Sequence, residues 1–142
     1  MQIFRLKQDQ GHTEKPFSAM VVTRDGPLGG TSRRLSSMGG VLEVVAELYD
    51  GLAAFADDHR AADVLVIDCD GYDGLEAVRR AVGRLCPNDL RAPVVLISTD
   101  CREQTFPLRR SDPILLRAPL SNVAIRLALE TVFKGRFLTA QV

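Results

Sequence analysis

Lysine is nearly missing from this chain: Lys7, Lys15 and Lys134 are the only three, so its cationic charge rests almost entirely on arginine. Neither sign prevails, with Lys+Arg at 18 against Asp+Glu at 18. That balance removes the electrostatic case for a general nucleic-acid or membrane-surface binder. Cysteine is scarce and odd in number, at Cys69, Cys86 and Cys101, and the start carries no signal-peptide pattern. Both features exclude a disulfide scaffold and point to a reducing cytoplasm. No apolar run approaches the ~20 residues of a membrane-spanning helix. Histidine occurs only at His12 and His59, neither with spaced ligand partners, which excludes a zinc site. Neither the P-loop nor the dinucleotide fingerprint is present, and no nucleophile–base pair stands out, so turnover is not expected. Internal repeats and low-complexity segments are absent as well.

What is there reads as one domain, since 142 residues bury roughly two-thirds of their unfolded surface without staples. An arm over 1–16, a domain over 17–135 and a tail over 136–142 are expected. The arm includes a short strand at 2–6. The centre of the pattern is Val64-Leu65-Val66-Ile67, four consecutive apolar residues suited to a strand buried on both faces of a parallel sheet. Asp68, Asp70 and Asp73 crowd its exit, and Gly74-Leu75-Glu76 opens a helix with Leu75, Val78, Val82 and Leu85 at three- and four-residue steps. The other strands are predicted at 18–22, 41–46, 93–99 and 114–116. Helices are predicted through Leu28, Ser32, Leu35 and Met38, after a turn at Tyr49-Asp50-Gly51, and from a cap at Ser121 or Asn122 to Gly135. The segment 100–111 has few large apolar residues and Pro107 in its middle, so something short or irregular is expected there. Alternating strands and helices give a flavodoxin-like doubly wound five-stranded parallel sheet in order 2-1-3-4-5, with an irregular fourth helix.

Over about residues 18–134 the sequence resembles the receiver domain of two-component response regulators. Asp50-Gly51-Leu52-Ala53-Ala54-Phe55 is similar to the family's Asp-Gly opening of the second helix, residues 63–68 to its third strand with the phosphoacceptor, and Asp73-Gly74-Leu75-Glu76 to the motif that follows. The resemblance implies Asp68 as phosphoacceptor. It implies Ser98, Thr99 and Arg117 as contacts of the phosphoryl group, and Mg²⁺ held by Asp25, Asp68 and Asp70. Several positions depart from the pattern. Arg24 stands where a second acid belongs, and Arg117-Ala118-Pro119 replaces a Lys-Pro pair. The loop from Asp68 to Gly74 is shortened, and Ile114 replaces the aromatic residue of the fifth strand.

These departures predict a pseudo-receiver. A guanidinium at Arg24 directed at Asp68 holds it ionised and supplies permanently the charge that Mg²⁺ supplies transiently, so that Mg²⁺ binds weakly or not at all. The alternative is a conventional phosphoaccepting receiver using Asp68 and Mg²⁺, with Arg24 swung to solvent. A different class is an anion- or nucleotide-binding sensor built on the loop from Gly26 to Arg34, whose glycines precede a helix start. No second domain is expected to follow, so output comes through a signalling protein partner, a histidine kinase or a homodimer. The expected contact surface is the 100–112 segment, the fifth strand and the last helix, with Leu129 exposed on it. Plainer readings are a turn role for Asp73, idle thiols at Cys69 and Cys101, and solvated faces for Arg33-Arg34, Arg79-Arg80 and Arg109-Arg110.

Overall fold

The computed structural model describes residues 16–58, 62–85, 93–106 and 112–133. The predicted arm strand, His12, His59, Cys86, Arg109-Arg110, Gly135 and the tail lie outside them. The elements are β1 (Phe17–Val22), α1 (Gly30–Ser37), β2 (Gly40–Val45), α2 (Leu48–Asp57), β3 (Val64–Asp68), α3 (Leu75–Leu85), β4 (Val94–Ser98), β5 (Ile114–Arg117) and α4 (Asn122–Val132). All strand pairs are parallel, in the order β2-β1-β3-β4-β5. The expected sheet is therefore present.

Strand alternation explains why the central strands read as unbroken apolar runs. Ala19, Val21, Val64, Val66, Val95 and Ile97 face one layer, where Leu35 of α1 and Ile125, Ala128 and Leu129 of α4 close over them. Met20, Val22, Leu65, Ile67 and Leu96 face the other, beneath Leu52 and Phe55 of α2 and Leu75 and Val78 of α3. The central strands β1, β3 and β4 bury both faces, so neither of their sequence faces is polar, whereas the edge strand β2 exposes Val41 and Glu43.

Two boundaries and one burial differ from expectation. Tyr49, Asp50 and Gly51 lie inside α2 rather than in a turn before it. The glycine is a packing requirement: a Cβ at Gly51 would sit 2.7 Å from Val22 Cγ2. Leu28 precedes α1 and is largely exposed, because the chain between Gly26 and Gly29 forms a turn closed by the Gly29 amide on the Gly26 carbonyl, 3.1 Å. Leu129 is buried, and the exposed apolar residues of α4 are Val123 and Leu127. Between β4 and β5 the described residues contain no helix. Instead Thr105 makes an antiparallel bridge with Leu115, Thr105 N donating at 2.8 Å and Leu115 N at 3.0 Å, and this covers the outer edge of β5.

Candidate functional site

The exits of β1, β3 and β4 meet at the carboxyl edge of the sheet, where open α/β sheets place their sites. Asp68 ends β3 and is half-buried. Register sets Val22 beside Ile67, so the next residues, Thr23 and Asp68, lie side by side on the α1 face. The Thr23 hydroxyl is one partner of the Asp68 carboxylate. The Thr31 hydroxyl, from the first turn of α1, donates to Asp68 Oδ1 at 2.9 Å. Burial raises the Asp68 pKa, the two hydroxyls oppose that rise, and Asp25 and Asp70 add to it. The carboxyl thus sits among hydroxyls and other carboxylates, and no arginine or lysine among the described residues is paired to it.

Arg24 is not that cation. Alternation along β1 sends it to the face opposite Thr23. There its Nε donates to the Gly71 carbonyl at 2.8 Å and its guanidinium lies 4.7 Å over the Tyr72 ring. The expected Arg24–Asp68 pair is thereby corrected. Tyr72, in turn, donates its hydroxyl to the Ala46 carbonyl at 2.6 Å, so Arg24 fastens the short 3₁₀ turn Cys69–Tyr72 to the exit of β1.

Asp25 is exposed, and its amide donates to Thr23 Oγ1 at 3.1 Å. Asp70, in the 3₁₀ turn, faces β4: Ser98 Oγ donates to its Oδ1 at 2.6 Å, and the Thr99 amide reaches Oδ2 at 3.0 Å and Oδ1 at 3.3 Å. Burial works against its ionisation, but those donors outweigh it and hold its pKa below the ordinary value. Ser98 is fully buried and its oxygen also accepts from the Asp100 amide at 3.0 Å. Arg117 stands beside Ser98 in register, yet its Nε donates to the Cys101 carbonyl at 3.2 Å and its Nη2 to the Arg102 carbonyl. It braces the chain leaving β4 and is drawn away from the phosphoryl-contacting role expected of it.

These placements bear on the divalent ion that the resemblance implies. Among the described residues no three His, Cys, Asp or Glu side chains converge as a metal-ligand group. Asp70 is committed to Ser98 and Thr99, Asp25 is exposed, and the side-chain hydrogen-bond partners of Asp68 are the neutral hydroxyls of Thr23 and Thr31. The residues present do not fit a carboxylate cage for Mg²⁺.

In the glycine-containing loop two hydroxyls are engaged, while Arg34 Nε is buried without a hydrogen-bond partner among the described residues. Besides Thr31 on Asp68, Ser32 Oγ donates to the Gly26 carbonyl at 3.0 Å. Asp73 takes the bland reading, a left-handed turn residue with φ of 71° before Gly74. Cys69 and Cys101 are free and buried in one apolar layer; burial raises both thiol pKa values, that of Cys69 to about 12. The sequence reading missed Thr23 and Thr31. A hydroxyl directly after a buried strand is a legible signal for the first, whereas nothing local marks a contact spanning from Thr31 to Asp68.

No family model matches the sequence, and no curated protein matches it. Solved structures do. A signal receiver domain from Vibrio parahaemolyticus aligns with a TM-score of 0.60 and 13% identity, over 89% of this chain and 97% of that one. A response regulator receiver protein from Burkholderia phymatum aligns with a TM-score of 0.53 and 22% identity, over 84% and 96%. The chain has the receiver-domain fold.

Proposed function

We propose that this chain is an atypical receiver-type module of a two-component phosphorelay, acting in the cytoplasm through protein contacts rather than turnover, with impaired phosphate acceptance at Asp68. The observation that carries this reading is the setting of Asp68: a half-buried carboxyl held by Thr23 and Thr31, with Asp25 and Asp70 nearby and, among the described residues, neither a cation nor a metal-ligand group around it. Phosphoryl transfer to a carboxylate needs an ionised nucleophile and positive charge on the transferring oxygens. Here burial disfavours the ionised form. The two arginines that the sequence brings to the sheet edge are engaged elsewhere, Arg24 over Tyr72 and Arg117 on the carbonyls after β4.

A module without this chemistry still works by presenting a surface. Val123 and Leu127 are exposed four residues apart on α4. That face suits a signalling partner, a kinase or a second copy. No helix among the described residues is long and apolar enough to cross a membrane.

The test is intact-mass spectrometry after incubation with acetyl phosphate and Mg²⁺, with Asp68→Asn as control. No adduct is expected on the folded wild-type chain. A phosphoryl adduct that the control abolishes would overturn the impairment.

A further inference from the structure

We propose that Asp70 is a resident anion: its carboxylate fills the donor pair made by the Ser98 hydroxyl and the Thr99 amide, and so keeps the exit of β4 in an anion-bound arrangement without any group being delivered to Asp68. The inference rests on the reading of Asp68 as an impaired acceptor and adds how the neighbouring strand is regulated. Three hydrogen bonds from two consecutive residues converge on this one carboxylate, the shortest at 2.6 Å. A hydroxyl and an amide aimed at a common point are a receptor for oxygen anions. An aspartate serving only its turn bonds backbone amides close behind it in sequence. Asp70 instead reaches across to β4, 28 and 29 residues away.

The contact is also relayed. Ser98 Oγ, having donated its proton to Asp70, accepts from the Asp100 amide at 3.0 Å. The Asp100 carboxylate then accepts from the Leu75 amide at 3.4 Å, at the start of α3, and approaches Gly74, where a Cβ would lie 3.1 Å from Oδ2. The Ser98 carbonyl takes the Ala118 amide at 3.1 Å and the Cys101 amide at 3.2 Å. The anion at position 70 therefore sets the geometry of the β3 and β4 exits, the start of α3 and the chain leaving β5. Register sets Asp68 beside Ile97, the residue before Ser98, so an anionic group carried on Asp68 and reaching for that strand exit would find both donors occupied by Asp70.

Amide-resolved NMR of the full chain tests this. In Asp70→Ala the Thr99 amide proton is expected to move upfield and to exchange about tenfold faster or more, the loss of one charge-assisted hydrogen bond. Titration of that variant with acetate or inorganic phosphate should return the Thr99 resonance saturably, whereas sodium chloride at matched ionic strength should not. The same anions should leave wild-type Thr99 unmoved. Asp70→Asn and Ser98→Ala carry the exchange comparison should the alanine variant not fold. A Thr99 amide indifferent to loss of Asp70, or one that no anion restores, overturns this proposal and leaves the reading of Asp68 intact. Phosphorylation of wild-type Asp68 that displaces Asp70 from Thr99 overturns both.

Discussion

Asp68 meets two hydroxyls and two neighbouring carboxylates, and burial raises its pKa above the ordinary aspartate value. The folded chain therefore binds that proton more tightly than the unfolded chain does. The stability linked to it is complete below the ordinary value of 3.8 and is lost as pH rises through the raised folded value. Asp70 has the opposite sign, since its pKa is lowered: what it contributes is present at neutral pH and is lost as pH falls through its folded value. Asp68→Asn keeps an acceptor for Thr31 and removes the buried charge. It is expected to stabilise the chain at pH 7 by about 1 kcal/mol, the usual gain from one favourable change. Urea unfolding at pH 7 and pH 4 checks this, because the gain should shrink at the lower pH; an equal gain at both would count against burial as the cause. At the same scale, the Cys69 and Cys101 thiols are buried and stay protonated. A thiol reagent followed by peptide mass analysis should find both unmodified in the native chain and modified once it is unfolded.

Among the elements, the central strands were legible because their apolar runs are the direct consequence of a sheet covered on both faces, and edge strand β2 because most of its residues are still apolar. The irregular passage after β4 was legible over its described residues, 100–106, because it lacks helical spacing. The start of α2 was not, since Asp50-Gly51 reads as a turn by composition, while the glycine is needed where the helix approaches Val22. Gly51→Ala gains helix propensity yet places a methyl group 2.7 Å from Val22 Cγ2. The clash should win, costing about 1–3 kcal/mol as overpacking of a tight contact does, and chemical denaturation would measure it. Little of the candidate site was legible by comparison. The sequence locates Asp68, Ser98 and Arg117 at strand exits, but which way a side chain turns beyond the last strand residue depends on partners distant in the chain. Arg24 shows this: its charge pointed to Asp68, and alternation with Thr23 sent it to Gly71 and Tyr72 instead. Thr31 reaches Asp68 only because α1 packs over the end of β3.

The molecule as a whole presents one helix with two distinct apolar faces. Ala124, Ile125, Ala128, Leu129 and Val132 of α4 are buried against the sheet, while Val123 and Leu127 are exposed at 69% and 45%. Spacing alone assigns both sets to the helix without separating them, which is why Leu129 read as a surface position. The two faces call for opposite outcomes. Glutamate at Leu129 places a charge without a partner in the core and should unfold the chain, at a cost of several kcal/mol. Glutamate at Val123 or Leu127 should leave the melting temperature nearly unchanged and act only on association, because a charge at the centre of an apolar contact must be desolvated when the contact forms. Light scattering over a concentration series separates these cases. If α4 joins two copies, wild type gains mass with concentration and Leu127→Glu stays at the monomer mass. If wild type remains monomeric throughout, a second copy is excluded and the face is left to a different protein. Unaltered self-association in the Val123→Glu, Leu127→Glu double variant would move the contact away from this helix.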